Sequence, residues 1–574
     1  MLTKRTVAAL VCTFACLVAP PAHAESLNNR NGIRQVLLLS IDGMHALDYE
    51  NCVTAGTCPA LAALGKTGVT YTRTSTARPS DSFPGLMALV TGGTPRTVGA
   101  FYDVAYDRVL APPLNDTGNG VSAGLCNPGQ PNGTTTEYEE GVDLDQTKLN
   151  GGAPGAGLTD GGIRSIDTTR LPRDPFNNCL PVYPWNFVRT NTIYGVIHAA
   201  DGYTAWSDKH PVYAAVSGPT GTAMPSNVDD YYSPEINSQV IALSGVHTPA
   251  IPTNPTGSPC SPVRDTAQTG SWTDSFKNVQ CYDTLKVNAI LNEIDGKAHD
   301  GMHKAPVPTL FGMNFQAVSV GQKLIEKIND STKIFGGYTD AAGTPSAALL
   351  DEIEFVDASI GQMVTALKQQ GLFESTLIII TAKHGQSPID PHRFKELGHG
   401  ITTTPADVIA TDLPFSESPA NLSGIGPTQD DIALLWLADA SKTLSADVSM
   451  LEANADAAGI GQIFYGPSLE TMFNPPGLPP HGDPRSPDII VQPYVGVVYT
   501  SSAKKQAEHG GFAHDDTNVM LLVSNPAFAA NTVTSFVETT QVAPTILLAL
   551  GLDPGDLEAV QQEGTPVLPG LSFK

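Results

Sequence analysis

Three short runs of the chain consist almost entirely of apolar residues, and each is bounded by glycine and polar residues. The runs are Val36–Ile41, Thr376–Ala382 and Val519–Val523. A strand that is apolar on both faces is typical of a parallel sheet covered by helices on both sides. The three runs therefore predict an α/β fold with a mixed, mainly parallel sheet between helices.

Helical patterns lie between and after these predicted strands. Apolar residues recur at spacings of four and three from Leu349 to Leu367, and Gly371 ends the run. This periodicity predicts a long helix with one buried face. Residues 541–550 predict a second, shorter helix that packs on the sheet and is ended by Gly551.

Two long stretches between the predicted strands have a different composition. Residues 108–185 are rich in Gly, Pro, Asn and Thr, and residues 388–500 mix turns with short strand-like pieces. Within the second stretch, the apolar segments 431–437 and 488–491 are candidates for pairing with each other. We interpret both stretches as insertions into a single catalytic domain at 25–574, the second being a cap over the sheet.

The first 24 residues have the order of a cleavable secretory signal. Lys4 and Arg5 precede an apolar run from Thr6 to Val18, and Ala22-His23-Ala24 provides a small-residue cleavage site. The apolar run is too short to span a bilayer. We therefore expect an exported protein, periplasmic or extracellular, and no later stretch predicts a membrane span.

The cysteines agree with export. Six remain after the predicted leader, namely Cys52, Cys58, Cys126, Cys179, Cys260 and Cys281. In an oxidising compartment six cysteines suggest disulfides, although sequence alone allows fifteen pairings. Pairing between nearest neighbours is our expectation.

The chain is strongly acidic, with a formal net charge of −25. Such a surface argues against a stable nucleic-acid complex, because phosphate-backbone binding depends on clustered Lys and Arg. A small anionic substrate remains compatible, since a bound metal can reverse the sign of the charge locally. The oligomeric state stays open.

Ionisable residues stand at the ends of the predicted strands. Asp42 follows the first run, Lys383 and His384 follow the second, and His509 precedes the third. Open α/β sheets bind ligands at the carboxyl ends of their strands, and carboxylates with imidazoles are common metal ligands in hydrolases. Taken singly, each is also a common turn, cap or loop residue. The candidate metal ligands are Asp42, Asp340, His384 and His509.

Ser82 is the candidate nucleophile. It precedes Pro84, which suits the first turn of a helix, in the segment SFPGLMALVTGG. A helix beginning there directs its positive end at Ser82 and at a bound phosphate, and a metal on the hydroxyl would activate it further. The alternative makes Ser82 or Ser80 a plain helix cap.

Four segments occur in an order that resembles the nucleotide pyrophosphatase/phosphodiesterase branch of the alkaline phosphatase superfamily. They are VLLLSIDG with Asp42, SFP at Ser82 followed by ALVTGG, AKHG with His384, and HGGFAHDDTNV from His509. The resemblance spans residues 34–555 apart from the insertions. It implies an alkaline-phosphatase-like fold with two neighbouring zinc ions. It also implies a metal-bound nucleophile at Ser82, one metal at Asp42 and His384, and the other at Asp340 and His509.

Three positions depart from the family pattern. Lys383 stands where the family usually has Asp, Thr344 where it usually has His, and Asp103 where many relatives place a phosphate-binding Asn. Each metal site thus lacks one ligand, so we expect one or two divalent ions per chain, zinc first. Lys383 could stabilise charge on the phosphoryl group, while Asp103 or Asp390 could replace a missing ligand.

The leading hypothesis is therefore an exported, metal-dependent hydrolase of phosphodiester or pyrophosphate bonds. It would act through a phosphoseryl intermediate, with Ser82 and Lys383 as catalytic residues. Within the enzymes, the alternative is a phosphomonoesterase or phosphonate hydrolase on the same core. A rival of another class is a catalytically impaired protein that uses the cleft to hold an anionic ligand.

Overall fold

The computed structural model describes residues 32–117, 121–138, 163–236, 253–260, 273–398, 403–414, 428–500 and 502–573. The predicted leader lies outside these residues, and so does part of the first insertion. The strands, in chain order, are β1 (Gln35–Ile41), β2 (Gly68–Ser75), β3 (Val104–Asp107), β4 (Thr134–Glu137), β5 (Arg173–Asp174), β6 (Leu180–Pro181), β7 (Ala205–Ser207), β8 (Asp230–Tyr232), β9 (Leu310–Phe315), β10 (Ile325–Asn329), β11 (Thr332–Phe335), β12 (Thr376–Thr381), β13 (Lys395–Glu396), β14 (Thr428–Gln429), β15 (Ala433–Leu435), β16 (Ile460–Tyr465), β17 (Ile489–Pro493), β18 (Val497–Val498), β19 (Asn518–Ser524), β20 (Asn531–Val533) and β21 (Val537–Glu538).

The α-helices connect and cover these strands. In chain order they are α1 (Ala46–Ala55), α2 (Pro59–Gly65), α3 (Ser82–Thr91), α4 (Pro95–Val98), α5 (Pro184–Phe187), α6 (Ile193–Ala199), α7 (Phe276–Ile294), α8 (Ala317–Lys323), α9 (Ala347–Gln369), α10 (Pro405–Val408), α11 (Ala440–Ala453), α12 (Pro467–Glu470), α13 (His514–Thr517), α14 (Val542–Leu550) and α15 (Glu558–Glu563). The two predicted helices are α9 and α14, and no helix within the described ranges is long and apolar enough to cross a membrane.

A nine-stranded mixed sheet forms the centre of the fold, in the order β20-β2-β19-β12-β1-β9-β7-β8 with β21 beside β2. Alternate residues of β1 point to opposite faces. Val36 and Leu38 join a core cluster with α3 and α14, whereas Leu37 and Leu39 join one with α7 and α9. Burial on both faces explains why β1 is apolar throughout. The predicted α/β class is confirmed.

The third predicted strand runs in the opposite direction from the first two. β1 pairs in parallel with β12 and β9, but β19 pairs antiparallel with both β12 and β2. The start of an antiparallel strand lies at the same edge as the ends of its parallel neighbours. A residue that precedes β19 therefore meets residues that follow β1 and β12.

The second insertion contains its own small sheet, in the order β14-β15-β17-β16. The apolar segments predicted to pair do so, since Ala433–Leu435 lies antiparallel to Ile489–Val491. Three disulfides join nearest neighbours along the chain as expected: Cys52–Cys58, Cys126–Cys179 and Cys260–Cys281.

Candidate active site

The carboxyl ends of β1 and β12 lie side by side, because the strands pair in parallel with Ser40 opposite Thr381. Asp42 follows the first strand, and Lys383 and His384 follow the second. All three side chains are buried. Lys383 Nζ lies 3.4 Å and His384 Nε2 3.6 Å from Asp42 Oδ2. The structure thus brings together three of the residues predicted to meet at this edge.

His509 reaches the same edge from the antiparallel strand β19. Its ring stacks on that of His384, with centroids 3.9 Å apart and planes inclined by 30°. Its Nδ1 lies 3.3 Å from Asp81 Oδ1. His509 is therefore placed beside His384 as predicted, and its Nδ1 lies close to the carboxylate of Asp81.

Ser82 is the first residue of α3, and Asp81, rather than Ser82 or Ser80, is its N-cap. Asp81 Oδ2 accepts a hydrogen bond from the Phe83 N–H at 3.4 Å. The Ser82 hydroxyl is left to other partners, and its Oγ accepts a hydrogen bond from Lys209 Nζ at 3.0 Å. Ser82 thus lies at the positive end of a helix and beside an ammonium group, a suitable environment for an anionic group.

The loops that carry the candidate residues are tied to one another through Asp516. Its carbonyl oxygen accepts hydrogen bonds from Ser80 Oγ at 2.5 Å and from the Gly385 N–H at 2.6 Å. A Cβ at Gly385 would overlap the carbonyl groups of Asp515 and Asp516, and one at Gly85 would overlap the Lys383 carbonyl. Gly85 therefore allows α3, and Gly385 allows the segment of Asp515 and Asp516, to approach the loop after β12 closely.

Lys209 is a site residue that the sequence patterns did not predict. It follows β7, and its Nζ lies 4.0 Å from Asp42 Oδ2. Lys383 Nζ lies 3.7 Å from Asp208 Oδ1 and 4.3 Å from the ring centroid of Tyr213. Because β7 has only three residues, it gives no long apolar run. The sequence feature that could have revealed Lys209 is the polar segment that follows a short apolar one in WSDKH.

The side-chain amides of Asn314 and Gln316 orient Asp42 from the side of β9. Asn314 Nδ2 donates to Asp42 Oδ1 at 2.7 Å, and Gln316 Nε2 donates to Asp42 Oδ2 at 2.6 Å. Burial raises the pKa of Asp42, but the charges of Lys383 and His384 outweigh burial and hold this pKa well below its usual value. Asp42 is therefore a carboxylate at neutral pH.

Asp340 is not among the residues that the structure brings together here. It is exposed, and its Oδ1 accepts hydrogen bonds from the N–H groups of Ala342 and Thr344 at 2.9 and 3.2 Å. An aspartate that closes its own turn in this way needs no metal. Asp390 likewise accepts from the His392 N–H and lines a different cavity.

Asp103 does reach the site. Its N–H donates to Asp81 Oδ2 at 3.1 Å, and its Oδ1 accepts from the Val104 N–H at 2.7 Å. Together with Lys209 and His509, it lines a cavity of about 300 Å³. The cavity is large enough for a phosphoryl group, and Asp103 places a carboxylate on its wall.

The comparison with solved structures concerns the fold. The chain is similar to a multiply substituted mutant of the alkaline phosphatase PafA, with a TM-score of 0.52 and 14% identity over 91% of this chain and 96% of that one. It is also similar to murine ectonucleotide pyrophosphatase/phosphodiesterase 5 (TM-score 0.49, 15% identity, 91% and 96% covered) and to the human protein of that name (0.49, 14%, 90% and 95%). The fold is alkaline-phosphatase-like.

The family model described as "type I phosphodiesterase / nucleotide pyrophosphatase" matches residues 36–124 and 325–516. These segments include Asp42, Ser82, His384 and His509, and the predicted family resemblance is confirmed. No curated protein sequence matches the chain. The family match supports a phosphoric ester hydrolase of the phosphodiesterase, pyrophosphatase or phosphatase type.

Members of this superfamily are metal-dependent, but the residues around Asp42 do not fit a divalent cation. Both Asp42 oxygens accept amide hydrogen bonds, and two ammonium groups lie within 4.0 Å of Oδ2. An ammonium is no metal ligand and repels a cation. Among the described residues, no group of three or more His, Cys, Asp or Glu side chains is arranged to hold a metal. In the described part of the chain, the residues implied as metal ligands therefore do not form such a group.

A pair of buried carboxyl groups beside the site predicts a pH-dependent stability. Burial raises the pKa of Asp516 to about 7 and, together with the charge of Asp516, raises the pKa of Asp431. Between about pH 4 and 7 the folded chain therefore holds a proton that the unfolded chain has lost. The free energy of unfolding should fall as the pH rises, by about 1.4 kcal/mol per pH unit for one such proton.

Urea unfolding at several pH values checks this expectation. Asp516→Asn should reduce the fall in the free energy of unfolding between about pH 4 and 7. Asp330→Asn, at an exposed position, is the matched control and should leave that fall unchanged. If the free energy of unfolding depends on pH equally in the wild type and in Asp516→Asn, the expectation is refuted.

Proposed function

We propose that this chain hydrolyses phosphodiester or pyrophosphate bonds with Ser82 as the nucleophile and a phosphoseryl intermediate. The observation that carries the proposal is the position of the Ser82 hydroxyl at the N-terminus of α3, bonded to Lys209 Nζ at 3.0 Å. Asp42, Lys383 and His384 gather on the neighbouring strand ends. The match to the phosphodiesterase family covers the Ser82 and His384 segments.

The reaction would proceed in two displacements. A lone pair of Ser82 Oγ forms the new P–O bond, the bond to the leaving oxygen breaks, and that oxygen takes the bonding electrons and the serine proton. Water then attacks the phosphoserine: its oxygen forms a new bond to phosphorus, the P–Oγ bond breaks with its electron pair going to Ser82 Oγ, and a proton from the water passes to that oxygen. Positioning and charge stabilisation are the main contributions a protein makes to phosphoryl transfer.

Fixed positive charge for the equatorial phosphoryl oxygens would come from this chain's own residues. Lys383 Nζ has no hydrogen-bond partner within the described part of the chain, and Lys209 Nζ already touches Ser82. The positive end of α3 adds to both. We therefore place Lys383 in contact with the transferring phosphoryl group.

Asp103 favours a diester over a monoester as substrate. Its carboxylate lines the cavity beside Lys209, and it would repel the dianion of a phosphate monoester more strongly than the monoanion of a diester. This preference separates the leading proposal from the phosphomonoesterase alternative. It leaves the identity of the leaving group open.

An assay of the purified mature chain on two chromogenic substrates tests the proposal. We expect turnover of bis-p-nitrophenyl phosphate to exceed that of p-nitrophenyl phosphate. Asp103→Asn should raise monoester turnover by roughly 10-fold, because it removes one like charge. The difference in turnover between the two substrates should therefore become smaller. Preference for the monoester would instead favour the phosphomonoesterase.

A second candidate is a protein that binds an anionic ligand without hydrolysing it. The observation that favours it is the presence of Lys383, together with the outward position of Asp340, where the resemblance implies metal ligands. Orthophosphate binding without turnover of either ester would support this candidate.

We also propose that the chain is exported to the periplasm or outside the cell. Support comes from the secretory pattern of residues 1–24 and from the three disulfides. Ellman titration of denatured, unreduced protein from its native compartment should find no free thiol after cleavage of the leader. A retained leader would add the thiols of Cys12 and Cys16. Six or more free thiols would contradict the proposal.

A further inference from the structure

Two ammonium groups converge on one oxygen of Asp42. Lys383 Nζ lies 3.4 Å and Lys209 Nζ 4.0 Å from Asp42 Oδ2. Both lysine side chains are at least nine-tenths buried. Together they bring two positive charges to this carboxylate, the same charge as one divalent cation.

The surrounding groups hold this arrangement in place. Asn314 and Gln316 each donate a hydrogen bond to one oxygen of Asp42, so the carboxylate is oriented from the side of β9. Asp208 Oδ1 lies 3.7 Å from Lys383 Nζ and supplies a second negative charge. The Asp42 carboxylate is thus both paired with positive charge and hydrogen-bonded, which lowers the cost of burying it.

Lys209 connects this pair of charges to the place where a phosphoryl group would bind. Lys209 Nζ donates to the Ser82 hydroxyl and lines the cavity of about 300 Å³. Lys383 Nζ lacks a hydrogen-bond partner within the described ranges, and its backbone packs against Gly85 in the first turn of α3. Lys209 therefore contacts Ser82 directly, and the backbone of Lys383 packs against the helix that begins at Ser82.

We infer that Lys209 and Lys383 replace a divalent cation at Asp42, so that the site binds a phosphoryl group without metal. The inference rests on the proposed function for its substrate class. It assigns Lys209, together with Lys383, the role of a phosphate-binding residue. Asp42 then serves to hold the two ammonium groups rather than a metal ion.

Metal analysis and orthophosphate binding on the purified mature chain test the inference. We expect the untreated protein to contain well under one equivalent of transition metal, roughly 0.1 or less, since the ammonium groups oppose a cation. Calorimetric titration with inorganic phosphate should give the same affinity, within about 2-fold, before and after exhaustive chelation. Tight binding of one or two metals, or loss of phosphate binding on chelation, would overturn it.

Variants assign the effect to the two lysines. Lys209→Met and Lys383→Met should each weaken phosphate binding by roughly 10-fold or more, because charge-assisted contacts to phosphate are lost. Lys333→Met, at an exposed position on β11, is the control and should bind normally. Unchanged phosphate affinity in folded Lys209→Met would overturn the role of Lys209.

The wild-type measurements require no variant, so a variant that fails to fold does not remove the test. Lys383→Asp adds an opposite test, since a carboxylate beside Asp42 and His384 should create a metal site and raise metal content toward one per chain. Metal-free phosphate binding without ester turnover would sustain this inference and refute the proposed hydrolase. Turnover that requires added metal would refute this inference and support the proposed hydrolase.

Discussion

Ser82→Ala is expected to lower turnover of bis-p-nitrophenyl phosphate by roughly 10³-fold or more, because a covalent nucleophile acts as part of a unit with its surroundings. The fold should persist. Asp81 rather than Ser82 caps α3, and Lys209 keeps Asp42 as a neighbour when the hydroxyl is removed. Circular dichroism and thermal unfolding of the variant verify that the loss lies in chemistry.

Ser80→Ala provides a matched control two residues away. The Ser80 hydroxyl donates to the Asp516 carbonyl, so its loss should cost about 1 kcal/mol of stability while most of the turnover remains. Acid quench during turnover, followed by peptide mass spectrometry, should locate phosphate on Ser82 in the wild type. Near-normal turnover in folded Ser82→Ala, or phosphate found on Ser80, would eliminate Ser82 as the nucleophile.

The part of the site that lies on long central strands could be predicted from the sequence. β1 and β12 are buried on both faces, so their sequences are continuous apolar runs. Asp42 and His384 stand just after these two runs. His509 could be placed by its position before a third apolar run. The antiparallel direction of that strand was not visible, because a buried strand has the same apolar pattern in either direction.

Residues on short strands could not be predicted in the same way. Lys209 follows a strand of only three residues, which gives no long apolar run. Asn314 lies within β9, a strand as long as β12, but Gly312 and Asn314 interrupt its apolar run. Lys209 is also 127 residues from Ser82 along the chain, so only the order of the sheet reveals that the two are neighbours.

Asp340 illustrates a local sequence pattern that fits two different environments. An aspartate followed by small residues and glycine fits a metal-binding loop and a self-closed turn equally well by its sequence. The structure distinguishes the two, because the carboxylate accepts hydrogen bonds from its own turn and faces solvent. Burial, which separates Asp42 from Asp340, depends on tertiary packing and not on the local pattern.

Lys383→Ala is expected to reduce turnover by roughly 10- to 1000-fold, or about 1.4–4 kcal/mol of lost charge stabilisation in the transition state. Lys383 Nζ lies between the carboxylates of Asp42 and Asp208, over the ring of Tyr213. A group that contacts the transferring phosphoryl group should affect kcat more than KM. Steady-state kinetics on the diester substrate measures this division.

Removal of a buried charge also destabilises the fold, and the two effects have to be separated. Leaving the carboxylates beside Lys383 with one fewer partner is expected to cost about 3–5 kcal/mol. Lys383→Met keeps the apolar stem against Tyr213 and limits the packing loss, while Lys383→Arg restores the charge and should recover part of kcat. Lys442→Met, at an exposed position, is the control for lysine removal. If folded Lys383→Met and the wild type have the same kcat and KM, Lys383 only neutralises its neighbours and does not touch the phosphoryl group.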